Sequence, residues 1–227
     1  MERFYLQGPF TINGQIELKD DEHHHLSHVM RIREKDTVEL IDGCGSFAKA
    51  SVIKIGKKGT VLQILHLEKS PPAKQKVLLG VPFMRPAKLE WVIEKGTEIG
   101  ADSFLLYKAD NSIQQSLSDH QLSRLKTITI SATKQSQRLY LPHLEILPHL
   151  SSLLKKQAQI LFGDLDQKTF DWKQNTQETT LFISGPEKGF SENEVKQLRE
   201  AGLGVRINPH ILRAETAPIV AISLLIN

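Results

Sequence analysis

Residues 181–225 constrain this chain more than any other stretch. Leu181-Phe182-Ile183 is short, apolar and β-prone, which predicts a buried strand. Ser184-Gly185-Pro186-Glu187-Lys188-Gly189-Phe190 follows as a loop built from turn residues. Ser191 and Glu194 stand at capping-box spacing, so a helix opens after Ser191. It runs to about Ala201, where Gly202 and Gly204 stop it. Val205-Arg206-Ile207 predicts another strand, then a loop over residues 208–217 and an apolar run over 219–226. Folds of this grammar bind ligands in loops beyond the carboxyl ends of parallel strands. The site is therefore expected in residues 184–190 and 208–217.

The first 70 residues read differently. Gln15-Ile16-Glu17-Leu18, residues 37–41, 47–55 and 60–67 are short β-like runs, with Asp42-Gly43 and Gly56-Lys57-Lys58-Gly59 as hairpin-type connections. They predict a small β-barrel domain over residues 1–70. Lys69-Ser70-Pro71-Pro72-Ala73-Lys74 is a linker, because paired prolines continue neither strand nor helix. Residues 74–227 then alternate strands (77–81, 104–107, 159–162) with helices (88–99 and 120–138), which predicts a mostly parallel sheet covered by helices. A length of 227 residues, with 24% charged and 40% hydrophobic side chains, suits a soluble protein of one or two domains. No apolar run approaches the ~20 residues of a membrane span and no signal-peptide pattern is present, so a cytoplasmic protein without membrane contact is expected. The single Cys44, read as a turn or core residue, excludes an intrachain disulfide framework and a cysteine zinc site.

Several residues carry possible chemistry. Glycines at 185 and 189 let backbone groups approach a ligand, and the helix that follows offers an electropositive N-terminus. His23-His24-His25 with His28 lacks the further ligands that zinc needs, so no metal is expected. That segment, with Arg31 and Arg33, reads either as a polar face toward RNA phosphates or as a solvated helix surface. From His120 to Leu144 there is no acidic residue, while Arg124, Lys126, Lys134 and Arg138 are cationic. Such a stripe suits a phosphate backbone, unless acids from elsewhere meet it. A net charge of +3 permits a polyanionic partner. Arg213 and Glu215 lie in a loop, as functional groups often do, or pair with each other to hold it. Thr216 is expected to cap the last helix or bond locally, and Trp91 to lie in the core.

Two of these loops also carry a family likeness. Gly185-Pro186-Glu187-Lys188-Gly189-Phe190-Ser191 resembles the GPEGGFS loop, and residues 211–217 the ILRTETA motif, of the ribosomal RNA small-subunit methyltransferase E family. Residues 95–100 resemble its K-x-T-E-L-G helix end, residues 134–138 its E-Q-S-G-R, and Arg3-Phe4-Tyr5 with residues 25–31 its first domain, so the likeness spans essentially the whole chain. The resemblance implies an N-terminal PUA-like β-barrel and a C-terminal SPOUT α/β domain with a deep trefoil knot, a rare exception to normal connectivity. It also implies a homodimer that methylates N3 of a uridine in 16S ribosomal RNA with S-adenosylmethionine. Cofactor contacts are then expected at Phe162, Gly163, Ser184, Gly185, Pro186, Glu187, Gly189, Ile207, Asn208, Ile211, Leu212 and Thr216. Catalysis is expected at Arg213 and Glu215, and RNA contacts at Arg3, His25, Arg31, Arg33, Arg124, Lys126, Lys134 and Arg138. Lys188 stands where the family has glycine, Asn208 and His210 where it has glycine and arginine, and Lys134 where it has glutamate. An ammonium beside a sulfonium would be repelled, so Lys188 is expected to point away from the pocket. These departures leave two alternatives, an RNA-binding paralogue with lost catalysis or a SPOUT enzyme for another nucleotide.

Overall fold

The computed structural model describes residues 2–167, 170, 172 and 177–226. By its contacts the chain forms two units, Met1–Pro72 with Thr133–Leu141, and Ala73–Ala132 with Pro142–Asn227. The first contains β1 (Arg3–Tyr5), β2 (Gln15–Lys19), α1 (Asp20–His24), a π-helical turn (His25–Val29), β3 (Thr37–Ile41), β4 (Ser46–Ile55) and β5 (Gly59–Lys69). Its strands form one sheet in the order β1-β3-β4-β5-β2, a half-barrel with β1 and β2 as its edges. Alternate residues of each strand, including Val38, Leu40, Ala48, Ala50, Leu62 and Ile64, point inward and close over Phe4, Leu18 and Leu26. Cys44 is exposed in the β3–β4 turn, where Asp42 Oδ1 accepts from the amides of Cys44 (2.7 Å) and Ser46 (2.8 Å).

Segment 133–141 belongs with this unit, although the sequence places it in the second domain. Backbone bonds run from Gly45 N to Leu139 O (3.0 Å) and from Leu141 N to Gly43 O (2.9 Å). The Tyr140 hydroxyl donates to Ser70 O at 2.8 Å, and Lys134 pairs with Glu22 at 2.6 Å. A short segment captured by backbone pairing carries no periodic signal of its destination.

The second unit contains β6 (Lys76–Pro82), α2 (Pro86–Ile99), β7 (Ser103–Tyr107), α3 (Asp119–Gln135), β8 (His143–Leu147), α4 (Leu150–Leu153), β9 (Gln159–Gly163), β10 (Thr179–Ile183), α5 (Glu192–Ala201), β11 (Leu203–Val205) and α6 (Thr216–Leu225), with the last residues of α3 in the first unit. Its sheet, in the order β11-β9-β10-β6-β7-β8, is parallel throughout. Both faces are covered, as the continuous apolar strands require. Leu79, Val81, Phe104, Leu106, Leu161 and Phe182 pack with α2, α3 and α6. Leu105, Tyr107, Ile160, Phe162, Leu181 and Ile183 pack with α4 and α5. Gly96 of α2 allows this closeness, since a Cβ there would meet the Phe104 ring at 2.7 Å. Trp91, expected in the core, is 39% exposed. Trp172 packs edge-on against Phe170, with ring centroids 4.9 Å apart. The strand expected at residues 205–207 lies at 203–205 instead, because Leu203, Gly204 and Val205 are the residues that pair with β9.

Helix α3 ends in a Schellman motif, with Arg138 N bonded to Thr133 O (3.1 Å) and Gln137 N to Lys134 O (3.3 Å). The motif needs a left-handed residue, and Gln137 takes φ 61° where the resembling E-Q-S-G-R motif carries glycine. Gln137→Gly should therefore stabilise the protein by about 1 kcal/mol, read from urea denaturation midpoints, whereas an unchanged or lower midpoint would show that Gln137 is unstrained.

Candidate functional site

A cavity of ≈530 Å³ opens where β9, β10 and β11 end. Gly163, Asp164 and Leu165 line it after β9, Ser184 to Glu187 with Gly189 and Phe190 after β10, and residues 206–208 and 210–214 after β11, with Lys88 from α2. The loop after β10 is fixed at both ends. Ser184 N donates to Gly80 O at 2.9 Å, while the buried Tyr107 hydroxyl donates to Ser184 O at 2.8 Å. Burial, and next the Glu194 charge, push the Tyr107 hydroxyl well above its usual pKa, so it remains a donor. At the other end the capping box forms as expected: Ser191 Oγ accepts from Glu194 N (3.1 Å) and Glu194 Oε2 accepts from Ser191 N (2.9 Å). The Glu194 carboxylate, only 3% exposed, also accepts from Asp110 N at 3.0 Å, and Asn111 Nδ2 donates to Gly189 O at 3.0 Å. Gly189 needs its φ of 77°, and Gly185 leaves room for the Phe190 ring, which a Cβ would meet at 3.2 Å.

The loop after β11 is braced by its own polar groups. Arg206 donates to the carbonyls of Asn208 (3.3 Å) and Pro209 (2.7 Å), while Asn208 Oδ1 accepts from His210 N at 2.9 Å. Asn208 thus serves as an Asx turn rather than by adopting a left-handed conformation. Of the residues expected around a cofactor, Gly163, Ser184, Gly185, Pro186, Glu187, Gly189, Ile207, Asn208, Ile211 and Leu212 line the cavity. Phe162 and Thr216 are not among its lining. Phe162 is 1% exposed, its side chain turned into the core between the sheet and α5 by strand alternation. Thr216 opens α6 with its amide bonded to Arg213 O at 2.9 Å, and no side chain caps that helix. Lys188 is exposed and outside the lining, as its charge requires.

Arg213 lines the cavity with an exposed side chain and, among the described residues, no ion pair. Glu215 is not its partner. Lys88 Nζ lies 2.9 Å from Glu215 Oε2 and 3.4 Å from Glu187 Oε1, one ammonium between two carboxylates from two different loops. The contact with Glu215 lacks hydrogen-bond alignment, so Oε2 of Glu215, like Oε2 of Glu187, is buried with its acceptor capacity unfilled. Burial pushes the Glu215 carboxyl up, but Lys88, the Glu215 backbone amide and Arg213 outweigh it and hold the group below its usual range. Glu215, and against it burial, act on Lys88, whose pKa rises on balance. Both groups are therefore ionised at neutral pH. Lys88 was not singled out by the sequence: it sits on a helix 99 residues before Glu187 and farther still from Glu215, and no local pattern links them.

The expected RNA contacts divide. Arg3 is committed to Glu39 (2.8 Å) and lies 5.4 Å from the Phe47 ring centroid. Lys134 pairs with Glu22, and Arg124 with Glu90 at 3.4 Å. His25 packs edge-on against Phe4, with ring centroids 5.8 Å apart. Arg31, Arg33 and Lys126 are exposed, with no ion pair among the described residues, and Arg138 is half-buried. Buried His23 meets Thr60 Oγ1 at 2.8 Å and His24 stacks on His28, which accounts for the histidine run. Among the described residues no cluster is suited to a metal ion and no helix is long and apolar enough to cross a membrane.

A model of the RNA methyltransferase domain matches residues 71–226, and a model of the RNA methyltransferase PUA domain matches residues 18–65. The chain belongs to the RNA methyltransferase domain family. A relative from Bacillus subtilis (strain 168), named ribosomal RNA small subunit methyltransferase E, is 27% identical, covering 98% of this chain and 95% of its own. One of the same name from Mycobacterium bovis is 27% identical, over 92% of this chain and 85% of its own. The solved ribosomal RNA small subunit methyltransferase E from Neisseria gonorrhoeae, bound to S-adenosyl methionine, superposes with a TM-score of 0.88 at 26% identity, covering 98% and 95% of the two chains. The cavity of this RNA methyltransferase domain is therefore lined by the two loops whose motifs resemble that family, by the loop after β9 and by Lys88.

Proposed function

We propose that this protein methylates N3 of a uridine in 16S ribosomal RNA, with S-adenosylmethionine as donor. The observation that carries the reading is the cavity formed by the loops after β9, β10 and β11, with the exposed Arg213 guanidinium, in no ion pair among the described residues, on its lining. Its size suits a nucleoside-sized ligand. The residues fit this donor. Glycines at 163, 185 and 189 keep backbone accessible, and Ile207, Leu212 and Ala217 offer apolar surface for a base. The lysine that does line the cavity, Lys88, is neutralised by Glu187 and Glu215, so no free ammonium opposes a sulfonium. Lys188 and Lys134, which raise the alternative of a non-catalytic paralogue, lie outside the lining.

The bound donor supplies an electrophilic methyl group. The protein must orient the uridine and favour loss of its N3 proton, because the N3 lone pair becomes available only then. The resulting charge spreads onto the flanking carbonyl oxygens. Arg213 presents a permanently charged planar fork that stabilises this charge as it develops. It cannot accept the proton. Glu215 is a poor acceptor as well, since its lowered pKa makes it a weak base. The proton therefore passes to hydroxide, to a water chain or to another side chain of the lining. The same reading places RNA phosphates at Arg31 and Arg33, and includes the homodimer and the trefoil knot, with light-scattering mass as the test of the dimer.

Mass-spectrometric mapping of 16S ribosomal RNA, with and without the protein, tests the reaction: a uridine that gains a methyl group at N3 supports it, and an unchanged map sinks it. Gly185→Val should displace Phe190 and abolish S-adenosylhomocysteine binding in calorimetry while the melting temperature is kept, and unchanged affinity would remove this loop from the donor site. Arg213→Ala should lower kcat by about 10²-fold or more with little change in donor affinity, and Arg213→Lys should restore it only in part. Loss of donor binding with kcat retained would make Arg213 structural. Arg31→Ala with Arg33→Ala should flatten the log–log salt dependence of RNA binding by roughly 1.4–1.8 units, and an unchanged slope would turn these cations away from RNA.

A further inference from the structure

The cluster of Lys88, Glu187 and Glu215 has no part in the reaction as derived above, yet it joins α2 to both loops of the cavity. We propose that it makes the cavity selective for the cationic methyl donor over the neutral thioether left after transfer. The proposal rests on the reading that the cavity holds S-adenosylmethionine. Two carboxylates against one ammonium leave the cluster with one net negative charge, and Oε2 of Glu187 is buried with no hydrogen bond, while Oε2 of Glu215 faces the ammonium at 2.9 Å. Among the other charged groups of the lining, Asp164 meets Arg199 at 3.4 Å, Arg206 donates to two carbonyls, and Arg213 is exposed, so that solvent screens its charge more than that of the half-buried cluster.

Methyl transfer converts a sulfonium into a thioether, so the ligand loses one positive charge while its shape barely changes. Shape complementarity alone therefore cannot separate donor from product, whereas a net negative wall can. Desolvation in the cavity strengthens the effect, because charges there act through an effective dielectric below that of water. The cluster would then weaken the hold on the product at the moment it forms and favour exchange for fresh donor.

Calorimetry of S-adenosylmethionine and S-adenosylhomocysteine with the whole protein tests this through the ratio of the two dissociation constants. Lys88→Met leaves two uncompensated carboxylates and should shift the ratio toward the sulfonium by about fourfold or more. Glu187→Gln with Glu215→Gln leaves a lone ammonium and should shift it by a similar factor toward the thioether. A purely structural latch would weaken both ligands alike, so ratios equal to that of the unaltered protein, or shifts in the same direction, overturn the proposal. Glu187→Gln alone keeps the Lys88–Glu215 pair and carries the test if either variant fails to fold; its ratio must also move toward the thioether. An unaltered protein that binds neither ligand sinks the donor site itself. One that binds both, with ratios insensitive to all three variants, sinks only the charge selection.

Discussion

The cavity exists because a glycine loop is nailed down at both ends by buried polar groups. At the start, Ser184 is bonded through its amide to Gly80 and through its carbonyl to the Tyr107 hydroxyl, so the loop leaves the sheet in one direction only. At the end, the Glu194 carboxylate takes the amides of Ser191 and Asp110, joining the α5 N-terminus to the loop after β7. An unpaired carboxylate at this depth would be costly, and the paired one rewards a single loop path. Gly80 belongs to the same constraint. A Cβ there would meet Leu153 at 2.5 Å and Ile183 at 3.2 Å, so glycine lets α4 and β10 close on β6 without displacing either side chain.

Charge does different work inside and outside. Around the cavity Lys88 joins two carboxylates and Asp164 meets Arg199, while Arg213 has no ion pair among the described residues. Over the rest of the surface many cations that would serve a phosphate backbone already have carboxylate partners. Arg3, Arg124 and Lys134 lie on strands and helices where acids from other elements reach them. Exposed pairs such as Arg124 with Glu90 contribute little to stability and can exchange for a phosphate. Arg3, near the Phe47 ring and bonded twice to Glu39, can do so only by giving up both contacts.

The sequence by itself determined the elements whose signal is local. The capping box at Ser191 and Glu194, the apolar strands at 77–81, 104–107, 159–162 and 181–183, and the glycine loop at 185–189 could each be read from a few neighbouring residues, and each is present. So could the position of the cavity, because loops beyond parallel strands converge by topology. What spans the chain was not legible. The transfer of residues 133–141 to the first unit, the two-residue displacement of β11, the exposure of Trp91 and the turning of Phe162 into the core were all decided by packing against distant partners. Above all, the partner of Glu215 is Lys88 rather than Arg213. Two residues apart in a loop suggests a pair, but only the crossing of α2 over the sheet decides which ammonium is within ionic reach, and electrostatic energy follows distance in space, not along the chain.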